Sequence, residues 1–379
     1  MSRIINVGVS DTKIDLFEGQ YSVPNGMAYN SYLVTDDKTA LIDTVDGNFK
    51  KEWLANVNAA RGNKPIDYLI VQHMEPDHSA CIKLFAETFP SAVIVANSKT
   101  VQMMKQYFRG FEFNTQEVKD GEELCLGETT LKFFFTPMVH WPEVMMTYET
   151  ATKSLFSADA FGKFGTPDCD EPWLDEARRY YIGIVGKYGA QVQAALKKLS
   201  ALEIKNVYSL HGPALTGDLS EILNKYNVWS SYLPETDGVL IAYTSIYGNT
   251  LDAVLELAKR LKDKTDFKVV DVARTDWAET VADCFKYSKI VFATTTYNGT
   301  IFPCMNSLIN AIVERNFQNR TVGFIENGSW APMAAKVMKD KLSSQKNLTF
   351  IEQEVKIVSS LSEENLSQID ALAQSLLSK

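Results

Sequence analysis

The densest run of chemistry-bearing residues is His73-Met74-Glu75-Pro76-Asp77-His78, four side chains able to ligate a metal within six positions. It follows Tyr68 to Gln72, an apolar stretch that reads as a buried strand, and precedes a helical segment from Ser79 to Phe89. Ligands at the C-terminal end of a strand project from a rigid edge, and a proline fixes the path of the loop without needing a backbone donor. Three more residues occupy equivalent places. His140 ends the stretch Phe133 to Val139, Asp159 follows the strand Ser154 to Ser157, and His211 follows the strand Asn206 to Leu210. A lone His-x-Glu is usually an ordinary polar loop that caps the next helix. Here all four histidines of the chain stand at strand ends in the company of carboxylates, and that pattern points to metal binding.

Four neutral imidazoles with ionised Glu75, Asp77 and Asp159 make seven ligands of total charge −3. One ion cannot use seven such groups at normal coordination, whereas two ions sharing a carboxylate can. Two divalent cations and a bridging hydroxide bring such a buried cluster to neutrality. Imidazole and carboxylate without thiolate suit iron or manganese at least as well as zinc, and a diiron(II) site with open positions can reduce a small diatomic molecule. The five cysteines, Cys81, Cys125, Cys169, Cys284 and Cys304, include no C-x-x-C pair. Zinc ribbons, rubredoxin-type iron and iron-sulfur clusters are therefore disfavoured.

A second constellation lies further along. After the apolar strand Val239 to Tyr243 comes Thr244-Ser245-Ile246-Tyr247-Gly248-Asn249-Thr250, rich in hydroxyls and ending at a helix start. A helix N-terminus offers free amides and a favourable dipole to phosphate. The Walker ending Gly-Lys-Ser/Thr is absent, no Lys or Arg occupies the loop, and no G-x-G-x-x-G follows a strand, so triphosphate hydrolysis and dinucleotide binding are disfavoured. What remains is a phosphate held by hydroxyls and amides. Two further loops follow strands on the same expected edge: Thr294 to Thr300, with Thr296, Tyr297, Asn298 and Gly299, and Glu326 to Ala331, with Asn327, Gly328, Ser329 and Trp330. Tyr297 and Trp330 offer planar apolar faces to a flavin, and the neighbouring glycines permit close approach.

The elements that must position these residues follow from periodicity. In the first part, Ser31 to Thr35 and Thr39 to Thr44 read as a hairpin. Short strands and amphipathic helices then alternate: a strand at Ala92 to Ala96, a helix at Lys99 to Phe108, strands at Leu131 to Thr136 and Val144 to Tyr148, a mostly helical stretch from Pro172 to Leu199, and a helix from Leu219 to Tyr232. The polar segment Leu233 to Gly238 reads as a boundary, dividing the chain into domains 1–235 and 236–379. In the second domain five strands separated by helices give a doubly wound parallel α/β sheet. Its first helix, from Asn249, is expected to bury Leu251, Val254, Leu255, Ala258 and Leu261, and its last, from Ser362, Leu366, Ile369, Leu372 and Leu376.

The balance of 38 Lys and Arg against 47 Asp and Glu gives a net charge of −9, so an electropositive footprint for nucleic acid or anionic lipid is missing. A basic redox protein or a neutral small molecule is the more natural partner. With neither a signal-peptide pattern nor a run of 18 apolar residues, the chain reads as cytoplasmic.

The run HMEPDH, with His140, Asp159 in LFSADAFG and His211 in SLHGPA, resembles the ligand set of the flavodiiron proteins, the A-type flavoproteins. The resemblance covers nearly the whole chain. It implies a metallo-β-lactamase-like αββα domain followed by a flavodoxin-like domain. Hydrolases of that superfamily show H-x-H-x-D-H with zinc; here Glu75 stands at the middle histidine, a replacement the family associates with iron and redox chemistry. The resemblance further implies that His73, Glu75 and His140 bind one iron and Asp77, His78 and His211 the other, with Asp159 bridging; in some members the position of His78 is not a ligand. The three loops resemble those that bind FMN in flavodoxins, with Thr244, Ser245, Tyr247, Asn249 and Thr250 around the phosphate. The implied activity is reduction of oxygen to water, nitric oxide to nitrous oxide, or both. Because the chain ends with the flavodoxin-like helix, an external donor is expected: rubredoxin, or in some methanogen members a reduced deazaflavin. The implied assembly is a homodimer, or a dimer of dimers, in which each flavin serves the partner's iron site. The competing readings are a metallo-hydrolase fused to a flavodoxin and a flavodoxin-like electron carrier.

Overall fold

The computed structural model describes residues 3–378 and divides into two compact units, Met1–Asn227 and Val228–Lys379. The first unit contains two six-stranded sheets. One runs in the order Arg3–Asn6, Tyr32–Thr35, Thr39–Ile42, Tyr68–Ile70, Val93–Ala96, Thr115–Glu117; the other in the order Glu123–Cys125, Thr130–Phe135, Met145–Glu149, Ser154–Phe156, Asn206–Tyr208, Leu215–Thr216. Alternate residues of each strand point the same way, so Tyr32 and Val34, Ala40 and Ile42 from the first sheet meet Leu131, Phe133, Met145 and Phe156 from the second in one buried core. The helix Lys50–Arg61 buries Trp53 and Val57, one turn apart.

Both sheets turn their chain-carrying loops toward the ligand residues. The strand ends at Ile70, Phe135, Phe156 and Tyr208 each precede one of them. The expected single helix from Ser79 to Phe89 is two pieces, Pro76–Ser79 and Ile82–Thr88. His78 therefore lies within a single helical turn rather than at the strand end itself. The stretch Pro172 to Leu199 is interrupted too: helix Trp173–Tyr180 passes into a π-helical turn at Tyr181–Val185 and a short 3-10 turn before helix Gly189–Leu199 resumes. Gly183, Gly186 and Gly189 supply the weak helix-forming positions where this happens.

In the second unit the parallel order is Asp266–Asp271, Thr236–Tyr243, Tyr287–Tyr297, Arg320–Asn327, then a fifth position. This is the 2-1-3-4-5 order of flavodoxin-like sheets. The fifth strand, expected to run unbroken from Leu348 to Val355, is two short pieces, Leu348–Phe350 and Val355–Ile357, that pair in turn with Arg320–Asn327.

The polar segment Leu233 to Gly238 is not a free linker. Its strand starts at Thr236, Glu235 N–H donates to Lys286 O at 2.9 Å, and Asp237 pairs with Lys289 at 2.8 Å. The helix Asn249–Leu261 is rotated from its expected face: Ala253, Val254, Leu257 and Leu261 are buried while Leu255 is 46% exposed. The small side chain of Ala253 lets the helix lie against Val239, Ile241 and Val291 in the core. In the last helix, Glu363–Ser378, Ile369, Leu372 and Leu376 are buried as expected, with Asn365 and Ala373 beside them and Leu366 only half-buried.

Candidate functional site

In the first unit the loop His73–His78 is held from below. Asp43 Oδ1 accepts from Gln72 N–H at 2.8 Å and Asp43 Oδ2 from Gln72 Nε2 at 3.1 Å, while Ser79 Oγ donates to Met74 O and Thr44 Oγ1 to His78 O at 2.8 and 2.7 Å. The loop carrying His211 is clamped by Asn30 Nδ2, which donates to Ser209 O and Gly212 O at 2.9 and 2.8 Å, and by Tyr32 OH, which donates to Ser209 O at 2.7 Å.

All seven sequence-identified residues converge, and they fall into two groups. His73, Glu75, His140 and Asp159 form one and Asp77, His78 and His211 the other, with the ligand atoms of each group all within 4.8 Å of one another. His140 Nε2 is 3.0 Å from Glu75 Oε2 and 3.0 Å from Asp159 Oδ2, and His73 Nε2 is 3.2 Å from Glu75 Oε2. On the other side, Asp77 Oδ2 is 3.2 Å from His78 Nε2 and 3.3 Å from His211 Nε2. Asp159 faces both groups: Oδ2 lies 3.5 Å from His73 Nε2 and Oδ1 lies 3.6 Å from His78 Nε2. One carboxylate thus presents one oxygen to each group.

Two imidazoles are oriented by hydrogen bonds on their far side. His73 Nδ1 meets Glu143 Oε1 at 2.9 Å and His211 Nδ1 meets Ala28 O at 2.7 Å. Each donates there, leaving the Nε2 lone pair turned inward as a metal ligand requires.

Positive charge is what the cluster lacks. Both oxygens of Asp77 and Oδ1 of Asp159 are buried without a hydrogen-bond donor, and His78 Nε2 and His211 Nε2 face each other at 3.0 Å. Buried acceptors without a donor are costly unless a cation lies among them, so these ligand atoms fit two metal ions. The titration behaviour agrees. For His140, burial is the largest influence and opposes protonation, yet Asp159 and Glu75 outweigh it and push its pKa up to about 9. For His73, burial again opposes, and Asp159, Glu143 and Glu75 together raise its pKa well above the ordinary value. His211 is raised by Asp77 and Asp159 against the same burial. Asp159, Asp77 and Glu75 are held low by the histidines although burial favours their neutral forms.

Sequence reasoning missed Glu143. Its side chain is buried and its Oε1 also accepts from Met74 N–H at 2.8 Å, so one carboxylate braces both His73 and the loop that carries it. The signal was a carboxylate three residues beyond His140. Glu143→Gln is expected to weaken iron binding by about 10- to 100-fold, read as the chelator concentration that removes half the iron. Unchanged retention would show that His73 needs no such brace. Tyr180 was missed too; its buried hydroxyl has no hydrogen-bond partner and its ring lies 5.5 Å from that of His211.

In the second unit the three loops line a cleft of about 570 Å³. Ser245, Ile246, Tyr247, Asn249 and Thr250 come from the first loop, Thr296, Tyr297, Asn298 and Gly299 from the second, and Asn327, Gly328, Ser329 and Trp330 from the third. Thr295, Phe302 and Ser359 join them beyond the sequence reading. Thr244 does not: it is fully buried, its hydroxyl 2.6 Å from that of Thr294 between adjacent strands, because strand alternation turns it inward. Gly248, at φ 95°, caps the helix Asn249–Leu261 and makes the turn rather than lining the cleft. The second loop is stiffer than a loop. Thr296 pairs with Ile301 and Tyr297 with Thr300 across the two-residue turn Asn298-Gly299, both at positive φ, the pattern of a type I′ hairpin.

Among the described residues no Lys or Arg lines the cleft, Ser245 Oγ accepts from Gly248 and Leu251 N–H at 3.2 and 3.3 Å, and Tyr247 and Trp330 are 90% and 84% exposed at its edge. Hydroxyls and amides for a phosphate beside large uncovered aromatics for a planar ring fit FMN. Trp330→Ala is expected to weaken FMN by roughly tenfold or more, since a stacked aromatic is worth about 1 to 3 kcal/mol; fluorescence titration of flavin-free protein measures it, and unchanged affinity would place Trp330 off the ring.

Two family models match the chain: one described as ODP family beta lactamase over residues 27–212, and one described as a flavodoxin domain over residues 240–356. The chain is 29% identical over 353 residues to the anaerobic nitric oxide reductase flavorubredoxin of Aeromonas hydrophila subsp. hydrophila, covering 89% of this chain and 70% of that one. Its structure is similar to rubredoxin oxygen:oxidoreductase of Desulfovibrio gigas, with TM-score 0.92, 26% identity, and 99% and 96% of the two chains covered. It is similar also to the flavodiiron protein of Giardia intestinalis, with TM-score 0.91, 25% identity, and 99% and 94% covered. With a dinuclear ligand cluster on a β-lactamase-like unit and a three-loop flavin cleft on a flavodoxin-like one, the chain belongs to the flavodiiron proteins.

Proposed function

We propose that this chain is a flavodiiron reductase that takes electrons from an external donor through FMN to a diiron site, where oxygen is reduced to water, nitric oxide to nitrous oxide, or both. The observation that carries it is Asp159, one carboxylate with an oxygen for each of two histidine and carboxylate groups. His73, Glu75 and His140 are assigned to one iron, Asp77, His78 and His211 to the other, with Asp159 between them. When bound, the irons supply open positions and electrons to the gas, and FMN passes electrons singly. The chain's own contribution is to hold the Nε2 atoms inward through Glu143 and Ala28. Tyr180 adds a buried hydroxyl free to donate toward the site.

The relatives support both gases, one being named for nitric oxide and the other for oxygen, and the oxidoreductase names disfavour a hydrolase. Rubredoxin or a reduced deazaflavin is the proposed donor and the cytoplasm the proposed location; no helix among the described residues is long and apolar enough to cross a membrane. The assembly is proposed to be a homodimer in which each flavin serves the partner's iron. Mixing an FMN-free with an iron-free variant then restores activity that neither has, and absence of recovery despite subunit exchange would assign transfer to one chain. The function itself is tested by mixing anaerobically reduced protein with each gas in a stopped-flow instrument. Flavin and iron oxidation within turnover time is expected with at least one gas. Oxidation no faster than that of free reduced FMN would overturn the reading.

A further inference from the structure

Behind the turn that carries Asp159 lies a second cluster that the metal chemistry does not use. Lys163, four residues after Asp159, is 97% buried, and its Nζ is 3.0 Å from Glu171 Oε1 and 3.4 Å from Cys169 Sγ. The thiol in turn lies 3.3 Å from the same Glu171 oxygen. The three groups form a triangle in which one carboxylate oxygen is within reach of both the amine and the thiol. Their positions are constrained on every side. A side chain at Gly165 would come within 2.4 Å of Glu171 Oε1 and 3.0 Å of Cys169 Sγ, and one at Gly212, beside His211, within 2.8 Å of Lys163 Cγ. Thr166 N–H donates to Asn25 O at 3.0 Å and Asn25 Nδ2 donates to the other oxygen of Glu171. Cys169 is only partly buried, so a small oxidant reaches it.

We propose that Lys163 and Cys169 form a reversible covalent crosslink through a single oxygen atom, Nζ–O–Sγ, when the protein is exposed to oxygen or peroxide. The 3.4 Å gap is too wide for a direct S–N bond without movement, and an inserted oxygen spans most of it. The balance closes. The S–H bond and one N–H bond break, S–O and O–N bonds form, and sulfur and nitrogen each lose two electrons. One dioxygen takes all four, leaving one atom in the bridge and the other as water; with hydrogen peroxide two molecules are consumed. The extra proton of the lysine ammonium leaves through Glu171, the base within reach. The bridge forms in two two-electron steps: oxidation of the thiol to a sulfenic acid makes the S–O bond, and the second oxidising equivalent removes the S–O–H hydrogen and one N–H hydrogen of the neighbouring Lys163 as the O–N bond forms. Burial, then Glu171, raises the thiol pKa, which makes the reaction a response to sustained exposure rather than a step in each turnover. The bridge ties the loop 164–171 to the turn from Asp159 to Lys163, so it records oxidation at the segment that presents the bridging carboxylate.

The test is peptide mass spectrometry on the full-length protein, prepared anaerobically and then treated or not with hydrogen peroxide. Trypsin does not cut after a lysine whose nitrogen is blocked. The treated sample should therefore yield an uncut peptide from Ser154 to Arg178, heavier by one oxygen and lighter by two hydrogens than its reduced form. Excess dithiothreitol, supplying four electrons, should restore the cut at Lys163 and the free thiol. Cys169→Ser and Lys163→Arg should each abolish the species, but the wild-type comparison stands without them. Normal cleavage at Lys163 with Cys169 free or oxidised to sulfinic acid would overturn the proposal, as would a peptide that has lost two hydrogens without gaining oxygen.

Discussion

Asp159→Ala is expected to empty both metal positions together, cutting iron to less than about a tenth of wild type and gas-driven oxidation by well over the roughly 100-fold that loss of a supporting residue costs. Its two oxygens serve different groups, Oδ2 toward His73 and His140 and Oδ1 toward His78 and His211. Removing it leaves four inward imidazoles with two carboxylates and no link between the two halves. Single changes on one side should behave differently: His211→Ala takes a ligand from the Asp77 and His78 group only, and should retain one iron. FMN should stay stoichiometric in both variants, because its cleft is lined wholly by residues of the second unit. Iron and flavin analysis of the two purified variants decides the matter. If Asp159→Ala keeps one iron, the carboxylate serves one metal and does not bridge.

The candidate ligands were legible because His73, Glu75, His140, Asp159 and His211 stand in the loops where buried strands give out, a place that apolar runs mark clearly, with Asp77 and His78 in the short helix that follows the first of them. What braces them was not. Asp43 reaches Gln72 across 29 positions, Asn30 reaches Ser209 across 179 and His211 reaches Ala28 across 183. A contact of that span leaves no periodicity, since it exists only once both sheets have paired. The first unit's sheets were under-read for a related reason. Thr115–Glu117 pairs with Val93–Ala96 yet is exposed at every residue, so it carries no apolar alternation to read. In the second unit the loops were correctly placed by the strands before them, but facing depends on a one-residue phase. Thr244 sits on the inward phase and joins the core, while its neighbour Ser245 lines the cleft.

The histidines that await cations hold protons when no metal is present, while the carboxylates beside them stay ionised, and this makes metal uptake strongly dependent on pH. His140, raised to about 9, and His73, raised well above its ordinary value, keep protons at neutral pH that iron must displace, and His211 is shifted in the same direction. For each proton released, affinity should rise by about tenfold per pH unit below the folded pKa. The sign for stability runs the other way in metal-free protein. A raised histidine stabilises fully below its unfolded value of 6.5 and loses that contribution as pH climbs through its folded value. Carboxylates held low, Asp77, Asp159 and Glu75, stabilise above their ordinary values of 3.8 and 4.5 and lose it as pH falls through their lowered values. Metal-free protein should therefore melt highest between pH about 4.5 and 6.5 and progressively lower toward pH 9. Iron-loaded protein should show no such decline, since the cations replace the protons. Chelator competition at pH 6.5 and 7.5, with proton release followed by an indicator dye in weak buffer, measures the first effect, and melting of both forms the second. Iron affinity that is flat across this range, with no protons released, would mean that the histidines are already neutral in the metal-free protein and that the carboxylates alone set the site's demand for cations.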